Sequence, residues 1–185
     1  MQEKENILDI LKRVRKAVEE EDSIKLRELS DRTIHSSSIF QDGDNIAVAV
    51  IVYSLSKIIE RKNYQSYKEW SNFLEKYIKN IEVAIAALEK DNLEKFRQAL
   101  NDIRKAINDL SGNFKTHVQD VFKKARVNKA SRIYEHGISM EATAKLLGIS
   151  MWELAEYTGN TGIGDVDLGI TMPEKQRIKI AMEMF

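Results

Sequence analysis

His35, His117 and His136 are the side chains of this sequence that can exchange a proton near neutral pH without help from their surroundings. Asp31 stands one helical turn before His35, and Ser36, Ser37 and Ser38 follow it. A carboxylate that orients an imidazole beside hydroxyls is raw material for nucleophilic catalysis or for a metal site. The sequence places no second histidine and no third group beside this pair. A hydrogen-bonded packing histidine among small serines is therefore the expected reading. Asp42-Gly43-Asp44-Asn45 has the look of the start of a calcium loop, but that loop needs a glutamate where Tyr53 stands. A helix-capping turn is expected there instead, with Asp44 as the cap. His117 has no visible partner, and His136 precedes Gly137 at an expected helix end, where a cation meets the negative end of the dipole. There is no cysteine, which removes disulfides, thiol catalysis and thiolate zinc sites together. The expectation is a chain without a catalytic centre, cofactor or metal.

The elements that must position these residues are helical. The 185 residues include one proline and eight glycines, so helix breakers are few. The hydrophobic fraction is 43%, enough for a core, and the 29 basic residues balance the 29 acidic ones. That balance argues against a protein that coats nucleic acid along its whole surface. The longest apolar run, residues 46–53, is far short of the roughly 20 residues that span a bilayer. The first residues are charged and carry no signal core, so a soluble, cytoplasmic chain away from membranes is expected.

Apolar residues at helical spacing predict helices over residues 7–20, 24–40, 45–59, 64–89 and 93–110. Ser23 is the expected cap of the second, and Asp91 or Asn92 of the fifth. The third is apolar almost all round at its start, from Ile46 to Val52. Such a helix is buried in a bundle or an oligomer. Because the chain is short, a homodimer covering Val50 and Ile51 is expected. A further helix starts at Ser111-Gly112 and carries Phe114, Val118, Val121, Phe122 and Ala125. A boundary falls near residues 111–125, bridged by that helix. No repeat or low-complexity tract is visible. The organisation read from this is an all-α chain, with a helical bundle for interaction or dimerisation over 1–111. A helix-turn-helix domain with a C-terminal tail helix would follow over 112–185.

The most specific motif lies at residues 138–155. Ser139 can cap a short helix, and Ala144 is small where a second helix must cross closely. Gly148 supplies the positive φ of a tight turn, and Ile149 can bury itself behind it. Ser150 can cap the next helix, and Leu154 faces Ala144 and Leu147. Each residue type suits its place in a helix-turn-helix. The stretch Ala130-Ser131-Arg132-Ile133-Tyr134-Glu135-His136-Gly137-Ile138-Ser139, with Ala142-Thr143-Ala144-Lys145-Leu146-Leu147-Gly148-Ile149-Ser150-Met151-Trp152-Glu153-Leu154 and Thr161-Gly162-Ile163, resembles the small prokaryotic helix-turn-helix antitoxins. Those are encoded beside PIN-domain ribonuclease toxins. The resemblance covers about residues 125–165 and implies a DNA-binding autoregulator whose remaining segment wraps a toxin. The family's position after the second capping serine is often basic, whereas here it is Met151.

In a DNA complex Ser150, Met151 and Trp152 would enter the major groove, and Arg126, Lys129, Arg132 and Lys145 would hold phosphates. Against this, residues 151–167 contain no basic residue, and Glu153, Glu156, Asp165 and Asp167 repel phosphate. The all-helical HEPN ribonucleases pair an arginine and a histidine on one helix at a longer spacing than Arg32–His35 or Arg132–His136 offers. The expected function is a non-enzymatic, antitoxin-like regulator acting through DNA and through a PIN-domain toxin or another protein. The alternative is a protein-docking module whose helix-turn-helix no longer binds DNA.

Overall fold

The computed structural model describes residues 3–40 and 42–161, apart from the side chains of residues 35–40, 62, 63 and 161. The described residues are all-α, in the order α1 (Lys4–Glu19), α2 (Ser23–Phe40), α3 (Gly43–Glu60), α4 (Trp70–Glu89), α5 (Leu93–Asn108), α6 (Gly112–Glu135), α7 (Met140–Leu147) and α8 (Met151–Thr161). None of these helices is long and apolar enough to cross a membrane. The expected C-terminal tail helix lies outside the described residues, as do Gly162 and Ile163 of the antitoxin resemblance and the acidic Asp165 and Asp167.

Helix α3 is the axis of the bundle. Val48, Ala49 and Val52 are fully buried, Ile51 is 3% exposed and Val50 8%. Helices α2, α5, α6 and α7 of the same chain surround it. The argument for a homodimer therefore loses its premise: one chain already covers Val50 and Ile51. Polar ties fix the register around this axis. The Ser30 hydroxyl donates to the Ala49 carbonyl at 2.8 Å, and the buried Tyr77 hydroxyl donates to Ile51 at 2.6 Å. Each such bond is worth about 1 kcal/mol net, and leaving the phenol buried without it would cost more.

Two apolar clusters fill the interior. The larger gathers α1 to α5 and the first half of α6, with Phe73, Tyr77, Phe96 and Phe114 at its centre. The smaller joins Ile34, Ile46, Ala49 and Val50 to Ala130, Ile133, Leu147 and Leu154. Helix α6 serves both. Phe114, Val118 and Val121 face the first cluster, while Ala125, Ala130 and Ile133 face the second.

Several helix starts differ from the sequence expectation. Asp22, not Ser23, caps α2, accepting the Lys25 backbone N–H at 2.9 Å. Asp42 caps α3 by accepting the Asp44 N–H at 2.9 Å, which frees Asp44 to take a two-pronged ion pair from Arg97. The helix expected from residue 64 begins only at Trp70. A 3-10 turn over Lys62–Ser66 precedes it, and Tyr64 in that turn and Tyr67 just after it pack their rings against Phe114.

The backbone also exposes a repeat that inspection of the sequence misses. Residues 17–27 align with residues 87–97 without a gap and share Ala17 with Ala87, Glu19 with Glu89, Lys25 with Lys95 and Arg27 with Arg97, while Glu20, Ser23 and Ile24 face Lys90, Leu93 and Glu94. Glu21 (φ 51°) and Asp91 (φ 54°) take the same left-handed conformation. The next N–H reaches back to Ala17 at 2.8 Å in one hairpin and to Ala87 at 2.9 Å in the other. Asp22 and Asn92 then cap with identical bonds of 2.9 Å. Hairpins α1–α2 and α4–α5 are thus two copies of one turn.

Candidate functional site

The turn between α7 and α8 is built by local rules alone. The Ser139 hydroxyl accepts the Ala142 N–H at 3.2 Å and starts α7. Gly148, at φ 62°, ends it; the Ile149 N–H then returns to Ala144 at 3.1 Å. That backbone angle is left-handed, where a Cβ is strained. Ser150 and Glu153 form a reciprocal cap on α8. The Glu153 N–H donates to the Ser150 hydroxyl at 3.1 Å, and the Ser150 N–H and hydroxyl each donate to the Glu153 carboxylate at 3.0 Å. The backbone bond from Ser150, then its hydroxyl, hold the Glu153 carboxyl below its ordinary value.

Helix α8 lies against α6 through the buried Leu154 and Thr158, and the Asn128 amide donates to the Tyr157 hydroxyl at 3.1 Å. Its free start then projects Met151, 51% exposed, and Trp152, 85% exposed. With Ile24 on α2, these are the large apolar side chains left open among the described residues. Glu153 and Glu156 flank them, and α8 carries no cation.

The basic residues expected to hold phosphates divide. Lys145 is exposed on α7. Arg126 is half-buried and donates to the Gly148 carbonyl at 3.4 Å, which ties α6 to the turn. Arg132 is exposed but pairs with Glu135 at 3.1 Å. Lys129 is fully buried, its ammonium 2.7 Å from Asp31 and 4.1 Å above the centre of the Tyr53 ring. It cannot reach a phosphate from there. Burial pushes this ammonium below the ordinary lysine value, against the pull of Asp31. Burial likewise raises the Tyr53 phenol.

The other chemistry-bearing residues are also placed. Asp31 serves Lys129, and the His35 side chain lies outside the described residues. His117, expected to stand alone, has its Nδ1 3.5 Å from the Tyr67 hydroxyl, and its ring sits 5.9 Å from that of Tyr64. His136 follows α6 directly, at its C-terminal end as expected. No group of three or more acids and histidines suited to a metal occurs among the described residues.

A feature that sequence reading missed lies behind the turn, where α3, α5, α6 and α7 line an open cavity of about 690 Å³. Ile46, Val50, Phe122 and Leu147 form its apolar floor, and Arg104, Lys105, Lys123 and Arg126 stand around it. Four helices contribute, so no spacing along the sequence announces it. Comparison of the chain with protein-family models, with curated proteins and with solved structures finds no match.

Proposed function

We propose that α6, α7 and α8 form a helix-turn-helix unit used to dock a protein partner, with Met151 and Trp152 as the anchors. The exposure of Trp152, at 85%, carries this reading. An indole held in water on a capped, rigid helix is a typical binding anchor, because little entropy is lost when it enters a pocket. The partner offers an apolar cleft rimmed by lysine or arginine, to complement Glu153 and Glu156. A PIN-domain ribonuclease, which the antitoxin resemblance implies, is one partner with a claim to this role.

DNA binding is the second reading, favoured by the shape of the turn. Its contacts would be Ser150, Met151 and Trp152, with Arg126 and Lys145 at the backbone. Lys129 drops out because it is buried. Two observations weigh against it: α8 is acidic, and Lys123 spends its charge 3.6 Å from Glu153.

The test compares the full chain with Trp152→Ala. Tagged protein is recovered from its own cells, any stoichiometric partner is identified, and its affinity is measured. The variant should keep its melting temperature and lose at least about tenfold in affinity. In parallel, a labelled duplex from the upstream region is titrated at low salt. Steeply salt-dependent DNA binding, with a partner affinity unchanged by Trp152→Ala, would overturn the docking reading in favour of the regulator.

A further inference from the structure

We infer that the cavity between α3, α5, α6 and α7 binds a small amphiphile: an apolar tail carrying a phosphate monoester head. Its volume of about 690 Å³ falls within the range of small-molecule sites. The floor of Ile46, Val50, Phe122 and Leu147 provides no polar group to an occupant, so what lies deepest must be apolar. The polar groups are at the rim, and their charges have one sign. Arg104, Lys105, Lys123 and Arg126 line the cavity with no carboxylate among its lining residues.

Two of those cations are already answered from outside the cavity. Lys105 lies 3.1 Å from Asp102, and Lys123 lies 3.6 Å from Glu153. The two guanidiniums are not. Arg104 has no acid partner among the described residues, and Arg126 donates to the Gly148 carbonyl at 3.4 Å. A pair of unanswered guanidiniums above an apolar floor complements one dianionic head on one apolar tail. Phosphate suits it, because its oxygens accept from both planar forks while a carboxylate brings a single charge. The Asn108 and Gln119 amides at the same rim add neutral donors. Arg126 belongs both to this cavity and to the turn that presents Trp152. The assignment of the cavity does not depend on what docks there.

Calorimetry on the full chain with dodecyl phosphate, below its micelle concentration, tests the site. One molecule should bind per chain, at least about tenfold tighter than dodecanol or dodecanoate. Arg104→Gln with Arg126→Gln should weaken dodecyl phosphate by about tenfold or more and leave the dodecanol affinity unchanged. Ala47→Phe, which fills the cavity from α3, should abolish binding of both. Should that variant fail to fold, Arg104→Gln alone, at an exposed position, still lowers the affinity. Absence of saturable binding by the wild-type chain would overturn the proposal. So would equal affinity for dodecanol or dodecanoate, or an affinity that both arginine replacements leave intact.

Discussion

Lys129 carries a charge into the space between α2, α3 and α6, where Asp31 and the Tyr53 ring receive it. Removing an ammonium from water costs several kcal/mol, and a half-exposed carboxylate repays only part of that. The long aliphatic stem still fills core volume. Lys129→Met keeps the volume and removes the charge, so its stability at pH 7 should be within about 1 kcal/mol of wild type or above it. Lys129→Ala should lose about 2–4 kcal/mol through the cavity left behind. The pH dependence gives a sharper reading. A lysine whose folded value lies below 10.5 binds fewer protons folded than unfolded in the window just under 10.5. Stability from this group therefore rises with pH through that window. The wild-type minus Lys129→Met difference, measured by urea unfolding from pH 8 to 10, should climb; a flat or falling difference would refute a depressed lysine. None of this was legible in the sequence. Lys129 sits among other cations such as the half-buried Arg126 and the exposed Arg132, and α6 has no single apolar stripe to mark which of them turns inward. Asn45 also escaped notice: it is fully buried at the start of α3, and its amide has no hydrogen-bond partner among the described residues.

At the scale of the element, the α7–α8 turn was readable residue by residue, because each bond that makes it is local. Ser139, Gly148, Ser150 and Glu153 all act within three to five positions of themselves. The repeated hairpins were not readable. What they share is a left-handed residue and a capping side chain, and in neither copy is the left-handed residue glycine: Glu21 and Asp91 hold those positions. The late start of α4 was also hidden. Tyr64 and Tyr67 fit a helical period, but both pack their rings on Phe114, a residue far along the chain, with Tyr64 in the 3-10 turn and Tyr67 extended just after it. Gly148→Ala tests the turn. Nothing within 4 Å meets the added methyl, so the whole effect comes from the backbone at φ 62°. The cost should be about 1–2 kcal/mol, with no other change in packing. Thermal unfolding of the variant checks this. Gly43→Ala, equally open but without positive φ, serves as the control and should not share the loss.

At the scale of the whole molecule, α6 decides whether the chain has one cooperative unit or two. The sequence located its start at Gly112 and its bridging role, and a cut there into 1–111 and 112–185 followed naturally. The packing argues against independence of the second piece. Residues 112–185 alone would expose Phe114, Val118 and Val121, which face the first cluster. Ala130, Ile133, Leu147 and Leu154 would meanwhile lose Ile34, Ile46, Ala49 and Val50 from the other side of their own cluster. Each buried side chain of this size contributes about 1.5–3 kcal/mol, and a whole domain has only about 5–15 kcal/mol to lose. The deficit exceeds what α6, α7 and α8 can hold. A fragment of residues 112–185 should therefore show little helix by circular dichroism and no cooperative melt, while the full chain unfolds in one transition followed equally by far-ultraviolet and tryptophan signals. Trp70, 7% exposed in the bundle, dominates the tryptophan signal because Trp152 is already 85% exposed, so that signal follows the bundle while far-ultraviolet ellipticity follows every helix. A fragment that melts cooperatively, or a full chain whose two signals separate, would show that α6 joins two units rather than belonging to one.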